Sequence, residues 1–250
     1  MSTYRIENCA GSAESARRAE LGGAYRVELC AGLPEGGTTP SYGEILTARQ
    51  AINIKLNVII RPRSGDFLYT PIEVEAMLAD IRMARELGAD GIVVGCLTAD
   101  GAVDKPLLRR FVEAAEGLPV TFHRAIDVCQ DRAQALEDII EAGCARVLTS
   151  GGAASAPEGA DAIAALVKQA ADRIIIMPGA GVTPENVADL ARKTGAQEFH
   201  FSGRTSEPSP MRYRHEGVSM GGTVTIDEYA YLFTDPKKIR QAVEALQALE

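Results

Sequence analysis

The chain reads RIENCAG at residues 5–11 and RVELCAG at residues 26–32, one pattern written twice at an offset of 21 residues. In each copy a glutamate and a cysteine stand two apart, the spacing that puts both side chains on one face of a β-strand. A longer segment separates the copies, so they read as two successive βα units. Further short runs rich in Val, Ile and Leu recur at 56–60, 91–94, 120–122, 146–149, 174–177 and 198–201, and with 4–8 and 25–29 they make eight expected strands. Between them apolar residues recur every three or four positions, the helical period. PIEVEAMLADIRMAREL (71–87) opens with Thr70 as N-cap and Pro71 in the first turn and closes on Gly88, and TPENVADLARKTG (183–195) is expected to do the same.

Eight βα units in 250 residues fit an α/β chain forming a single (β/α)8 barrel domain, 1–250, with 204–234 an irregular segment before the last helix. A doubly wound sheet usually has fewer strands. Barrels of this kind carry their functional groups at the C-terminal ends of the strands. Those ends are polar here: Glu7 and Cys9; Glu28 and Cys30; Arg61, Arg63 and Asp66; His123, Arg124 and Asp127; Ser150 and Gly151; Gly179 and Gly181; His200 and Ser202. The strand starts look bland by comparison. Period two turns Ile6, Val27, Ile60, Phe122, Phe199 and Phe201 outward and Glu7, Glu28, Arg61, His123, His200 and Ser202 toward the axis. The repeat is then one device on two neighbouring strands, its glutamates at about equal height and its thiols one layer nearer the mouth.

A formal net charge of -8 without a long basic run argues against nucleic acid or an anionic membrane as partner. No apolar stretch is long enough to span a bilayer, and the first residues lack the pattern of a signal peptide. Five cysteines without a C-x-x-C pair suit free thiols in a reducing cytoplasm. The expected partner is a metal ion or a small anionic molecule, with no organic cofactor.

For an enzyme, Glu7 or Glu28 is the candidate general base, His123 the general acid, and Arg61 the planar fork for an anion. The neighbouring arginines would hold both carboxylates ionised. Arg63, Asp66, Arg124, Asp127, Ser150, Gly151, Gly179, Gly181, His200 and Ser202 would line the ligand site, the last glycine turns lying where barrels often bind phosphate. A zinc or iron site on His123, His200 and Glu28 has no spacing motif behind it. The same polar groups could instead form an ion-pair network that only fills the barrel.

The stretches ELCAGLPEGGTTPS (28–41), IIRPRSGDFLY (59–69), ADGIVVGCL (89–97), VTFHRAID (120–127), RVLTSGG (146–152), MPGAGV (177–182) and EFHFSGR (198–204) resemble, in that order, the CutC family of copper homeostasis proteins. The likeness runs from about residue 4 to residue 231, with departures at Asn8 and Gly203. The resemblance implies a cytoplasmic, oligomeric (β/α)8 barrel that binds Cu(I) through paired cysteines, here Cys9 and Cys30. Thiolates are soft donors and favour Cu(I) over harder divalent ions. The alternatives are that the two thiols only fill a layer of the barrel, as small apolar side chains would, and that the mouth performs acid–base chemistry of the lyase or isomerase type.

Overall fold

The computed structural model describes residues 4–215, 217, 218, 220 and 226–250. Its eight parallel strands are β1 (Arg5–Ala10), β2 (Arg26–Leu29), β3 (Lys55–Ile59), β4 (Gly91–Val94), β5 (Val120–Phe122), β6 (Arg146–Thr149), β7 (Ile175–Pro178) and β8 (Glu198–Phe201). The ladders run in the order β7-β6-β5-β4-β3-β2-β1-β8, and β7 and β8 meet side by side to close a (β/α)8 barrel. Four strands coincide end to end with the apolar runs of the sequence.

The helices are α1 (Ala13–Gly22), α2 (Tyr42–Ala51), α3 (Pro71–Glu86), α4 (Lys105–Ala114), α5 (Arg132–Glu141), α6 (Ala160–Ala170), α7 (Val187–Thr194) and α8 (Pro236–Gln247). They cover the outward faces of the strands, where Ile6, Val27, Leu56, Ile60, Phe122 and Phe199 are buried. α3 begins as its sequence dictates: Thr70 Oγ1 accepts from the Glu73 amide and the Glu73 carboxylate accepts from the Thr70 amide, a reciprocal cap. α7 does not. It starts only at Val187, because Asn186 Oδ1 accepts from the Thr183 amide at 2.8 Å and draws the TPEN stretch into a turn.

Two further expectations need correcting. The stretch 204–234 is not irregular throughout, since its ends form an antiparallel pair, β9 (Arg204–Pro208) and β10 (Ala230–Thr234), while residues 216, 219 and 221–225 lie outside the described residues. Arg18 of α1 pins this pair, pairing with Glu207 and stacking over Phe233 at 4.4 Å. The two copies of the repeat are also not at equal height. Glu7 stands opposite Arg26, and Cys9 opposite Glu28, so the second copy is staggered by two residues. Closing a barrel tilts its strands and staggers their register, which moves matching sequence positions apart. Asn8, a departure from the family pattern, turns outward at the β1–β8 seam, where it donates to the carbonyls of Phe201 and Ser202 and accepts from Thr234.

Candidate functional site

The strand starts are far from bland. Arg26, Arg146 and Glu198 point inward near the N-terminal end and, with Glu7, form a buried ion network. Glu198 accepts from Arg26 Nη2 at 2.6 Å and from Arg146 Nε at 2.6 Å, and Arg26 Nε pairs with Glu7. Two cations and two carboxylates thus balance inside the barrel, as a buried network requires.

Glu7 links this floor to the mouth. Its other oxygen lies 2.8 Å from His200 Nδ1, and His200 Nε2 lies 3.6 Å from Glu28 Oε2. Above them the Cys9 and Cys30 sulfurs are 3.9 Å apart. Donor atoms of Cys9, Glu28 and Cys30 all lie within 4.8 Å of one another, as do those of Glu7, Glu28 and His200. His123 is in neither cluster, so the metal set His123, His200 and Glu28 does not assemble. The sulfur pair suits one soft ion lying between two thiolates; the carboxylate beside it is a hard donor and suits such an ion poorly.

Burial pushes the Glu7 carboxyl up, but Arg26, the hydrogen bond with His200 and Arg146 outweigh it and hold it well below the usual range. Glu28 lacks such partners, and burial pushes it up to about 8 against the pull of His200. The arginines therefore do not keep both glutamates ionised. Cys9 is lowered by its hydrogen bond with Cys30 and by His200, against burial, whereas Cys30 is raised by Cys9 and by burial. Of the two sulfurs, Cys9 is therefore the one more readily ionised. Burial lowers His200, but its bonds to Cys9 and Glu7 and the charge of Glu28 raise it well above the ordinary value.

Acid should loosen this structure. Burial raises Glu198 too, but Arg26 and Arg146 bring it below its ordinary value, as Arg26 does for Glu7. Both carboxylates therefore take up protons more readily unfolded than folded, and their stabilising contribution is complete above the unfolded value of 4.5 and is lost as pH falls through it toward the folded values. The melting temperature of the wild type should drop over that interval, and the drop should be shallower in Glu198→Gln. Parallel curves for the two proteins would show that Glu198 does not carry the acid response.

Arg61 and His123 both reach the mouth, where part of each is already engaged. The Arg61 fork is occupied by backbone: Nη1 donates to the carbonyls of Glu35 and Gly37, and Nη2 to that of Gly65. His123 Nδ1 accepts from the Ala125 amide at 3.1 Å, and burial together with Arg61 lowers the imidazole to about 3. Its environment thus favours the neutral imidazole, whose Nε2 can donate. Gly95, which the sequence did not single out, makes room for it: a Cβ there would fall 2.3 Å from the ring.

Arg63 lies outside the site, paired with Asp66 and Glu73 on the rim. Arg124 and Ser150 come together around an anion the protein itself supplies, while the Gly151 amide donates to Thr149 Oγ1. Asp127 accepts from Thr149 Oγ1 at 2.5 Å, the Ser150 amide at 3.0 Å, Ser150 Oγ at 2.9 Å, the Gly152 amide at 3.0 Å and Arg124 Nε at 2.8 Å. Gly151 is required by packing: its φ is +72°, and a Cβ would fall 2.5 Å from the Gly159 carbonyl oxygen. Gly179 packs against Leu148 and His200. Gly181 and Ser202 line a cavity of about 640 Å³ beyond β7 and β8, shared with Cys9, His200, Arg124 and Lys238.

A parallel eight-stranded barrel with thiols, carboxylates and an imidazole gathered at its C-terminal mouth is a (β/α)8 protein of the kind that works from that end. The CutC family model matches residues 4–205, and the chain belongs to that family. It is 56% identical over 249 residues to a CutC family protein of Bacteroides thetaiotaomicron, covering 99% of this chain and 100% of the relative. It is 49% identical over 237 residues to the copper homeostasis protein cutC homolog of Mus musculus, covering 95% of this chain and 87% of the relative. Among solved structures, the putative copper homeostasis protein CutC of Streptococcus agalactiae superposes with a TM-score of 0.77 at 37% identity, covering 80% of this chain and 98% of that one.

Proposed function

We propose that this protein is a cytoplasmic, homo-oligomeric copper-homeostasis protein that holds Cu(I) between Cys9 and Cys30. The observation that carries the reading is the sulfur pair, 3.9 Å apart at the barrel mouth, with Cys9 half-buried and Cys30 buried. His200 and Cys30 favour the thiolate form of Cys9, the form that ligates metal. No helix among the described residues is long and apolar enough to cross a membrane. Copper here is cargo, taken up from and surrendered to other ligands through the open end. In competition with a Cu(I) chelator under reducing conditions, the wild type should retain one copper per chain, and Cys9→Ser and Cys30→Ser should each surrender it. Equal retention by the wild type and the double variant would reject the pair as the site.

A second reading, acid–base chemistry on a small anionic metabolite, is supported by the Glu7–His200–Glu28 chain, with contacts of 2.8 Å and 3.6 Å. With its carboxyl raised to about 8, Glu28 can give and take a proton near neutral pH, and His200 stabilises its anionic form. Its test is deuterium exchange from solvent into small carboxylic acids and carbonyl compounds. Catalysed exchange should be present in the wild type and absent in Glu28→Gln, and absence in both would dismiss the reading.

A further inference from the structure

The barrel mouth holds a cavity of about 130 Å³ whose lining includes Cys9, Cys30, Glu28 and His200 of the site described above. Arg61 and His123 both line it, with Ile59, Phe67, Leu33 and Leu148 as its apolar walls. Its volume is about four times the share of one water molecule in the liquid, enough for a molecule of a few heavy atoms.

Two features of its polar wall are unbalanced. Arg61 is 6% exposed, and the three hydrogen bonds from its fork go to neutral carbonyls. Among the described residues no carboxylate pairs with it, whereas Arg26 and Arg146 deeper in the barrel are both paired. A buried cation without a counter-ion is costly, so this position calls for a negative charge. The second feature concerns hydrogen. Arg61 Nε and His123 Nε2 are both buried donors without a partner among the described residues. The tautomer of His123 follows from geometry, since Nδ1 accepts from the Ala125 amide and Nε2 must therefore carry the hydrogen.

Phe67 fixes the two groups relative to each other. Its ring centroid lies 4.9 Å from that of His123 and 5.2 Å from the Arg61 guanidinium carbon. Glycines stand behind both: a Cβ at Gly95 would strike the imidazole, and one at Gly36 would come within 3.2 Å of Arg61 Nη1. The donors are thus held in place before any ligand arrives, which lowers the cost of binding.

We propose that this cavity binds a small monocarboxylate of roughly two to four carbons, one oxygen receiving Arg61 Nε–H and the other His123 Nε2–H, with the alkyl part against Ile59, Phe67 and Leu148. A carboxylate supplies the missing charge and two acceptors in one plane, and a short apolar tail matches the walls. Phosphate would bring further charged oxygens against the apolar walls and toward Glu28 and Cys9, which line the same cavity. The site names a ligand class for the acid–base reading and rests on it only for what happens to the ligand afterwards. Binding without isotope exchange would remove that chemistry and leave the site. A neutral substrate would do the opposite.

The test uses reduced, copper-free protein titrated with acetate and butyrate, and with acetamide as the uncharged comparison, by calorimetry and by NMR of ¹⁵N-histidine-labelled protein. Acetate and butyrate should bind saturably, with acetamide on the order of tenfold weaker or worse, and the His123 Nε2–H resonance should move with the carboxylates. His123→Phe keeps the ring contact with Phe67 and removes the donor, and should weaken binding on the order of tenfold or more. Arg61→Lys should weaken it further. Because the Arg61 variant also disturbs the loop carbonyls, the wild-type NMR titration stands on its own. Unsaturable acetate binding, equal binding of acetamide, or a His123 resonance that ignores bound acetate would each overturn the proposal.

Discussion

Replacing Glu198 by alanine is expected to lower the unfolding free energy by about 3–5 kcal/mol, and the melting temperature of a chain this size by roughly 10 °C. The side chain is 4% exposed and answers two buried guanidinium groups. Arg26 would keep Glu7, but Arg146 would be left with only the Thr121 hydroxyl, at 3.3 Å. The loss is therefore mostly the cost of a stranded charge rather than the value of the bonds themselves. That distinction can be measured by chemical unfolding. The double variant Arg146→Met with Glu198→Leu removes the charge together with its partner and should be more stable than Glu198→Ala. If the double variant is the less stable of the two, packing volume rather than uncompensated charge holds this end of the barrel.

Asp127→Ala should be nearly as damaging, costing about 3 kcal/mol, and it should be partly reversible by an added anion. The carboxylate is almost fully buried and satisfies two backbone amides, two hydroxyls and Arg124 where the chain turns from β6 toward α6. Removing it leaves those donors aimed at a hole of about its own size. Formate should raise the melting temperature of the variant more than that of the wild type, and Asp127→Asn, which still offers an acceptor, should lose less. An Asp127→Ala protein as stable as the wild type and indifferent to formate would mean that the carboxylate does not organise this loop.

The barrel was readable because each strand is a compact apolar run and each helix has its own period. β4, β5, β6 and β8 need no adjustment at either end. Parity also brought Glu7, Glu28, His200 and the two thiols to one place. Arg63, grouped with the strand ends, lies instead on the rim, because β3 ends at Ile59 and the chain beyond it is loop. Arg26, Arg146 and Glu198 were overlooked because charged residues at the start of a strand usually face solvent. Only their mutual pairing across β2, β6 and β8 makes them tolerable inside, and such pairing is long-range. What Arg61 and Arg124 hold was not legible for a related reason. An arginine beside a glycine turn has the same sequence whether it awaits a ligand, grips loop carbonyls as Arg61 does, or answers an aspartate of its own chain as Arg124 does.

The copper reading stands or falls on which atoms hold the metal. X-ray absorption at the copper edge, on protein loaded with one equivalent of Cu(I) under reducing conditions, counts those atoms by element. The wild type should give a first shell of sulfur alone, and Cys30→Ser should lose half of it together with its retention against a chelator. A first shell of nitrogen and oxygen in the wild type, unchanged in Cys9→Ser and Cys30→Ser, would place copper away from the thiols and contradict the proposed site.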